Sequence, residues 1–184
     1  MVMQADDASL LEQFREPSAR PRVFSLIAEK YSRKLYWHIR RLVVNHEDAN
    51  DVLQNTLIRA WNGLPMFRND ARLYTWLYRI ATNECLNFLE QQRRKMALSI
   101  DDMPERMTEQ LQAEPGFDST RLEWRIQMAI QKLPEKQKLV FNLRYFDEMP
   151  YEEMSRVLGT SVGALKASYH HAVKKVEKFI LEAD

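Results

Sequence analysis

The residues best suited to nucleophilic catalysis or metal binding are one cysteine and four histidines. His170 and His171 are adjacent, so a helix would point them to different sides. His38 and His46 have no cysteine or carboxylate at the spacing of a metal-ligand pair. Cys85 falls among apolar residues at helical spacing, which is typical of a small core residue. Since there is also no phosphate-binding glycine loop, the pattern predicts no catalytic residues, no metal ion, no cofactor and no small-molecule substrate.

A second group of residues could bind nucleic acid, because aromatic and basic side chains alternate in FRNDARLYTWLYRIATN (residues 67–83). Aromatic rings stack on unpaired bases and arginines contact the phosphate backbone, as single-strand binding requires. The alternative is that most of these rings form the core of a helical domain. The residues that carry the pattern are Trp61, Phe67, Arg68, Arg72, Tyr74, Trp76, Tyr78 and Arg79.

The segment YEEMSRVLGTSVGALKASYHHAVKK (residues 151–175) has the pattern of two helices joined by a short turn at Gly159. The second helix starts with short side chains, which let a helix enter the DNA major groove, and continues with lysine and histidine, which reach phosphates. Its expected DNA-facing residues are Ser161, Gly163, Ala164, Lys166, Ala167, Ser168, His170, His171, Lys174 and Lys175. The alternative is an ordinary helical hairpin whose lysines lie in solvent.

Three polar residues, Asp48, Asp51 and Gln54, lie three apart and opposite the apolar side of one predicted helix. Side chains at this spacing share a helix face, so the spacing predicts a polar stripe that could bind a protein partner. Any solvated helix face also shows such a stripe. The residue types alone therefore leave both interpretations open.

These residues are carried by a chain whose composition favours helices. Only 4 of its 184 residues are glycine, and glycine costs about 1 kcal/mol inside a helix. Apolar residues recur at helical spacing, which predicts an all-α protein. The predicted helices span residues 8–15, 22–44, 48–64, 72–95, 121–133, 135–146, 151–159 and 161–180. Asp48 is the expected N-cap of the third helix and Gly63 its expected end.

A compositional break divides the chain into two predicted small helical domains, residues 1–95 and 121–184. Basic residues exceed acidic ones by 4 in the first and by 2 in the second, whereas residues 96–120 carry a net charge of −5. That connector contains Pro104, Pro115 and Gly116 and shows little apolar periodicity. We therefore expect a flexible acidic linker between two basic domains whose partners carry phosphates.

The sequence also bears on where the protein works. It has no apolar run of the roughly 20 residues that a membrane-spanning helix needs, and its first residues lack the basic and apolar segments of a secretory signal. A single cysteine excludes an internal disulfide and suits a reducing compartment. We therefore expect a cytoplasmic protein.

Taken in series, the patterns resemble the extracytoplasmic-function (ECF, group 4) sigma factors, which are small promoter-recognition subunits of bacterial RNA polymerase. DANDVLQNTLIRAW (48–61) resembles region 2.2 of that family, and TWLYRIATNECLNFLEQQRRK (75–95) resembles regions 2.3 and 2.4. LPEKQKLVFNLRYFDEMPYEEMSRVLGTSVGALKASYHHAVKK (133–175) resembles region 4. The resemblance covers nearly the whole chain in the family's order. It implies a non-enzymatic protein that directs promoter-specific transcription initiation.

The resemblance also implies roles for individual residues. Region 2.2 of the family docks on the largest polymerase subunit, which assigns docking on core polymerase to Asp48, Asp51 and Gln54. Region 2 reads the −10 promoter element as the duplex melts. This assigns −10 DNA binding to Asn69, Asp70, Ala71, Arg72, Trp76, Arg79 and Asn83. Region 4 reads the −35 element with its last helix, here residues 161–175. An anti-sigma factor that covers both DNA-reading faces is a further implied partner.

Some positions depart from the family pattern. Region 4 helices of the family often carry a serine and three arginines where this chain has Ala167, Ser168, His171 and Val173. Fewer phosphate contacts follow, and with so few excess positive charges we expect the free chain to bind duplex DNA weakly. A stand-alone helix-turn-helix regulator is the competing interpretation, and an enzyme a more distant one. The polar stripe and the aromatic loop favour the sigma factor, because a simple regulator needs neither.

Overall fold

Helices account for the regular structure in residues 6–182, the part of the chain that the computed structural model describes. No strand occurs among these residues, in agreement with the predicted all-α class. The predicted domains also include residues 1–5 and 183–184, which lie outside the described part. The α-helices are α1 (Asp7–Phe14), α2 (Arg20–Val43), α3 (His46–Gly63), α4 (Leu73–Lys95), α5 (Met103–Gln112), α6 (Leu122–Gln131), α7 (Glu135–Phe141), α8 (Tyr151–Leu158) and α9 (Val162–Glu182).

Every helix that the sequence predicts is present, but two local predictions need correction. The predicted N-cap of α3 is wrong: the helix begins at His46, and Asn45 Oδ1 accepts a hydrogen bond from the Asp48 backbone N–H at 3.0 Å. Asp48 instead lies in the first turn, where a carboxylate is favoured by the helix dipole. The helix predicted over 135–146 is α-helical only to Phe141 and continues as a π-helical turn to Phe146.

The connector is not the irregular coil that its prolines and glycine suggested, because α5 forms within it. Met103, Met107 and Leu111 follow one another at intervals of four, so they share one helix face. Met107 and Leu111 are buried against Val44, next to the partly buried Trp124. Burial of this short apolar stripe stabilises a helix that its weak periodicity did not predict.

The first half of the chain is a bundle in which α2, α3 and α4 each pack against the other two, while α1 packs on α2. The inner face of α2 presents Val23, Ile27 and Leu35 at intervals of four or eight, and all are buried. One polar contact lies inside this core, where His38 Nε2 is 2.9 Å from the Thr82 hydroxyl of α4. The bundle therefore fixes which sides of α3 and α4 face outward.

In the second half, α9 packs against α6, α7 and α8. The two halves also pack against each other, chiefly through α4 and α8. One continuous apolar core contains Leu35 and Leu77 from the first half and Leu139, Met149 and Met154 from the second. The connector therefore does not hold the halves apart in this structure.

Candidate nucleic-acid interface

Within the polar stripe of α3, one residue is hydrogen-bonded to α4 and the other two are exposed to solvent. Asp51 and Gln54 are exposed, as expected for a docking surface. Asp48 is half-buried, and its Oδ2 accepts a hydrogen bond from Gln92 Nε2 of α4 at 3.2 Å. Burial raises the pKa of Asp48, and the nearby Asp51 and Glu47 carboxylates raise it further, although the Gln92 hydrogen bond opposes the shift. Asp48 thus joins α3 to α4, while Asp51 and Gln54 face solvent.

The same side of α3 carries two apolar side chains, Ile58, which the sequence did not assign, and Trp61, which belongs to the aromatic-basic pattern. Ile58 is 52% exposed and Trp61 is 39% exposed. Ile58 follows Gln54 by four residues and Trp61 follows Ile58 by three, so all three lie on one face of the helix. The spacing could have identified Ile58, because an apolar residue in the middle of a polar stripe is out of place on a purely solvated face.

The loop between α3 and α4 turns sharply at Asn69, whose φ of 60° lies in the left-handed region that asparagine tolerates better than most residues. Asn69, Asp70 and Arg72 are exposed and Ala71 is half-buried. The loop is therefore presented to solvent with most of its predicted DNA-binding side chains uncovered.

A cleft of about 420 Å³ opens beside this loop, between α1, α2 and the start of α4. Its lining includes the cations of Lys30, Lys34 and Arg72 and the rings of Tyr31 and Tyr74, with Asp7 and Asn69 among the others. Asp7 is engaged internally: its carboxylate accepts from Lys30 at 2.8 Å and from the Tyr31 hydroxyl at 2.6 Å. The cleft thus combines aromatic walls with an excess of positive charge, and its α2 residues were not predicted.

The outward face of α4 carries Arg79 and Asn83, which are exposed, and Trp76, which is half-buried. The Trp76 ring packs against Phe67 with their centroids 5.1 Å apart. On its other side a Cβ added to Gly63 would stand 3.0 Å from the indole. Trp76 is consequently held in one place between the end of α3 and the loop, with part of its ring open to solvent.

Of the other aromatic residues in this pattern, Tyr78 lies in the core, Phe67 and Tyr74 are partly buried against it, and Trp61 is partly exposed. Tyr78 is fully buried, and burial raises its pKa well above the usual value. Tyr74 packs on Tyr78 with their ring centroids 4.8 Å apart. Trp61 makes edge contacts with Phe14 and Phe24. The rings that remain accessible for stacking are those of the cleft and the exposed parts of Trp61 and Trp76.

The second half contains the predicted helix-turn-helix geometry. The helix α8 ends at Gly159, whose φ of 63° is left-handed and turns the chain. Ser161 Oγ then accepts a hydrogen bond from the Ala164 backbone N–H at 3.3 Å, which caps α9. Met154 of α8 and Leu165 of α9 are completely buried and hold the two helices together.

The outer face of α9 places its predicted residues in solvent. Ser168 is half-buried, and the others are exposed: Ser161, Gly163, Ala164, Lys166, Ala167, His170, His171, Lys174 and Lys175. Lys166 also lies near α8, with its Nζ 5.7 Å from the Tyr151 ring centroid. Small side chains at the start and cations further along together make a face that fits a major groove.

The described residues contain no group of histidine, cysteine and carboxylate side chains that could hold a metal ion. Cys85 is completely buried, and burial raises the pKa of its thiol, so no reactive thiolate forms there. Among helices of the described part, none combines the length and the apolar character needed to cross a bilayer.

Two family models match this chain. Residues 27–95 match Sigma-70 region 2, and residues 123–176 match Sigma-70 region 4. The first match contains α3, the loop and α4, and the second contains the helix-turn-helix pair. Together the two matches cover more than half of the chain, in the order expected from the sequence.

Curated relatives align over almost the whole length. The RNA polymerase sigma-H factor of Pseudomonas aeruginosa is 29% identical over 97% of this chain and 95% of its own. The ECF RNA polymerase sigma-E factor of Haemophilus influenzae is 28% identical over 98% of both chains. The corresponding factor of Escherichia coli is 29% identical over 96% of this chain and 95% of its own.

Two solved structures share the fold. CnrH, in complex with the cytosolic domain of CnrY, superposes with a TM-score of 0.70 at 24% identity, covering 97% of this chain and 98% of the other. The sigma factor RpoE of Bartonella quintana, in complex with the anti-sigma factor NepR, gives a TM-score of 0.66 at 19% identity, covering 85% and 96%. With region 2 and region 4 both present and aligned end to end with sigma factors, this chain belongs to the ECF sigma factors of the Sigma-70 family, which bind core RNA polymerase and direct promoter-specific transcription.

Proposed function

We propose that this sigma factor divides its work among three exposed surfaces. The first is the α3 face, formed by Asp51, Gln54 and Ile58. The second comprises residues 67–72 and the outward face of α4, and the third is the outer face of α9. The observation that carries the proposal is that the packing of both halves leaves these faces in solvent while the opposite sides of the same helices are buried.

The α3 face is proposed to dock on core polymerase. Asp51 supplies a charge and Gln54 both a donor and an acceptor, while Ile58 offers exposed apolar area between polar neighbours. Interfaces commonly combine an apolar centre with a polar rim. Removing exposed side chains from a helix costs little stability, so a loss of docking is separable from a loss of folding.

Core polymerase binding by Asp51→Ala and Gln54→Ala tests this docking assignment. Each variant is expected to bind at least tenfold more weakly than the wild type, with an unchanged helical circular dichroism spectrum. Glu29→Ala removes an exposed carboxylate from the neighbouring α2 and serves as the charge-matched control. Normal binding by both α3 variants would show that the polymerase docks elsewhere.

The second surface is proposed to bind the −10 element as it melts. An unpaired base would enter the cleft beside Asn69, where tyrosine rings can stack on it. Arg72 and Lys34 at the rim of the cleft would neutralise the adjoining phosphates. Trp76, fixed between Gly63 and Phe67, would lie against the end of the remaining duplex with Arg79 and Asn83 beside it.

The third surface is proposed to read the −35 element. Gly163, Ala164 and Ala167 leave room for the start of α9 to approach base edges. Lys166 and Lys174 would contact phosphates on either side of the groove. With Ser168, His171 and Val173 at the three positions where the family often has arginine, the helix offers few fixed cations. Its affinity for DNA would therefore depend on the polymerase that presents it.

We propose that this chain acts without catalytic residues, metal or cofactor of its own, because the described residues form no metal-binding group and its one thiol is buried. It would act in the cytoplasm, where polymerase and DNA meet. A purified chain that turned over a substrate without polymerase would contradict this role.

An anti-sigma factor is proposed as a further partner. The two related structures hold such a protein or a cytosolic domain bound to a sigma factor. This chain has an apolar cleft of about 390 Å³ where α4, α5 and the α6–α7 turn meet, and Ile100 beside it is 75% exposed. Affinity capture of the chain from resting cells is expected to yield a second protein besides polymerase. Recovery of polymerase subunits alone would contradict the proposal.

A further inference from the structure

A second cleft lies on the other side of the loop between α3 and α4. It has a volume of about 260 Å³ and is formed by the end of α1, the start of α2 and side chains of residues 64–69. Leu11 and Asn69 line both this cleft and the cleft of about 420 Å³ that contains Tyr31 and Tyr74, here called the first cleft. The two clefts are therefore neighbours, separated by Leu11 and Asn69.

The second cleft contains an arginine whose charge the surrounding residues do not neutralise. Arg20 is half-buried, and its Nε donates a hydrogen bond to the Phe14 backbone carbonyl at 3.2 Å. Its guanidinium carbon lies 5.5 Å from the centroid of the Phe14 ring. These contacts fix the guanidinium, yet no carboxylate of residues 6–182 forms an ion pair with it. A fixed guanidinium with free terminal nitrogens is well suited to bind a phosphate.

The other side chains of the second cleft suit the remainder of a nucleotide. Arg15 adds another cation, and its ion pair with Glu12 at 3.1 Å joins two largely exposed side chains, so it holds Arg15 only weakly. The remaining lining is mostly apolar and includes Pro65 and Phe67. Cations beside apolar and aromatic walls are the combination that binds single-stranded nucleic acid, because phosphates contact the cations and bases or sugars contact the walls.

We propose that the second cleft binds the nucleotide next to the base held in the first cleft, and that Arg20 pairs with the phosphate of that nucleotide. This inference rests on the proposed entry of an unpaired base beside Asn69. Because Asn69 lines both clefts, a single strand that crosses it passes directly from one cleft into the other. The cations Lys34 and Arg72 of the first cleft and Arg20 of the second then form one basic track along the strand.

The lining of the second cleft also determines what it can recognise. Apart from Asn69, its side chains are either charged or apolar, so they offer no further uncharged donor or acceptor to a base edge. Contacts to phosphate place a strand, whereas contacts to base edges select its sequence. The second cleft therefore adds affinity and fixes the path of the strand. Exchanging the base of its nucleotide should change affinity far less than neutralising the phosphate.

Single-stranded DNA in which one phosphate at a time is replaced by a neutral methylphosphonate tests the pairing with Arg20. A fluorescent non-template strand of the −10 element is titrated with holoenzyme assembled from core polymerase and excess chain, and core polymerase alone gives the background. Wild-type binding is expected to weaken about tenfold at the linkage next to the captured base, as for other hydrogen bonds to charged groups. Arg20→Met should bind the unmodified strand about tenfold more weakly and show no further loss at that linkage.

Matched variants separate this contact from general electrostatics and from loss of folding. Arg22→Met removes an exposed arginine of the same helix, which hydrogen-bonds to Gln13 and does not line the cleft, and it should keep the full loss at that linkage. Arg20→Lys keeps the charge, so it should fold even if the methionine variant does not, and should show a smaller loss at the same linkage. Arg20→Met should also reduce the slope of log affinity against log salt concentration by about 0.7.

Three results would overturn the inference, and they differ in what they leave standing. The same linkage profile for the wild type and Arg20→Met would show that Arg20 contacts no particular phosphate. Weaker binding of Arg20→Met to core polymerase, with that profile unchanged, would assign the second cleft to polymerase docking instead. A wild-type holoenzyme that binds the −10 strand no better than a scrambled strand would contradict the proposed function of the first cleft, and the second cleft with it.

Discussion

At the scale of single residues, Gly63 shows how one absent methyl group positions the ring of Trp76, which we propose to face DNA. A Cβ there would stand 3.0 Å from Trp76 Cζ2, closer than nearly all real contacts. Helix propensity alone would favour alanine by about 1 kcal/mol. Overpacking costs about 1–3 kcal/mol, so the ring has to move or the helix end has to yield.

Gly63→Ala is therefore expected to lower the free energy of unfolding slightly and to displace Trp76. The displacement should reduce permanganate reactivity of −10 thymines in the holoenzyme several-fold. Gly163→Ala is the matched control for stability, because nothing lies within 4 Å of its added Cβ. That variant should be more stable by up to about 1 kcal/mol. Equal stability changes in the two variants would argue against a tight Gly63–Trp76 contact.

The buried Lys138 makes the free energy of unfolding depend on pH, and the direction of that dependence follows from its pKa. Burial lowers the pKa of Lys138 from 10.5 to about 8, and its Nζ donates to Gln131 Oε1 at 3.0 Å. Between these two pKa values the unfolded chain keeps a proton that the folded chain has released. The contribution of Lys138 to the free energy of unfolding therefore rises with pH above about 8 and is constant below that value.

Urea unfolding at pH 7, 8, 9 and 9.5 measures this contribution. Lys138→Met is expected to remove the rise, since no titrating group remains at the position. Lys136→Met, at an exposed position on the same helix, should keep it. Parallel pH profiles for the wild type and Lys138→Met would show that Lys138 titrates normally.

At the scale of helices, the connector differs more than any other described element from what the sequence predicted. Lys95 at the end of α4 and Arg121 before α6 are exposed, whereas Arg106 lies in α5 beside the buried Met107. Trypsin should therefore cut at Lys95 and Arg121 well before Arg106. Met107→Ala removes a buried side chain at a cost of about 2–5 kcal/mol, and should speed cleavage at Arg106 at least tenfold.

Mass spectrometry of the first tryptic fragments measures the rates of cleavage at these sites. Glu109→Gln changes an exposed residue of α5 and should leave Arg106 protected. Cleavage at Arg106 as fast as at Lys95 in the wild-type chain would mean that α5 is not packed in solution. The same digest tests the predicted domain limits at 95 and 121.

Helix patterns explain what the sequence could and could not predict. The long apolar stripes of α2, α4 and α9 recur over many turns, so their positions were predictable to within two residues. The stripe of α5 has three members and begins beside Pro104, which resembles a loop. Exposure of Asp51 and Gln54 followed from spacing, but the hydrogen bond of Asp48 to Gln92 depends on how α3 meets α4.

The contacts between the two halves could not be predicted from any local sequence pattern. Asp147 lies in a segment with the composition of a solvent-exposed turn, and Glu153 neighbours another glutamate on a short helix. Nothing in their neighbours distinguishes them from Glu148 and Glu152, which are exposed. Asp147 and Glu153 are buried only because α2 and α4 pack against them. That packing depends on the fold of the whole chain.

At the scale of the whole molecule, charge and geometry both limit DNA binding by the free chain. The two halves carry net charges of only +4 and +2, so few phosphates can be neutralised, and binders of that kind have dissociation constants near about 10⁻⁴–10⁻⁶ M. This small excess of positive charge was the sequence-based explanation for weak binding. In the structure the two halves also pack against each other, chiefly through α4 and α8.

Run-off transcription from a linear template, with core polymerase in the presence and absence of the chain, tests the central claim most directly. Templates with the −10 element, the −35 element or both replaced by random sequence should accompany a cognate promoter. A discrete transcript is expected only when the chain, core polymerase and both intact elements are present together. A transcript independent of the chain, or none on any cognate promoter despite stable binding to core polymerase, would contradict its role as a promoter-directing sigma factor.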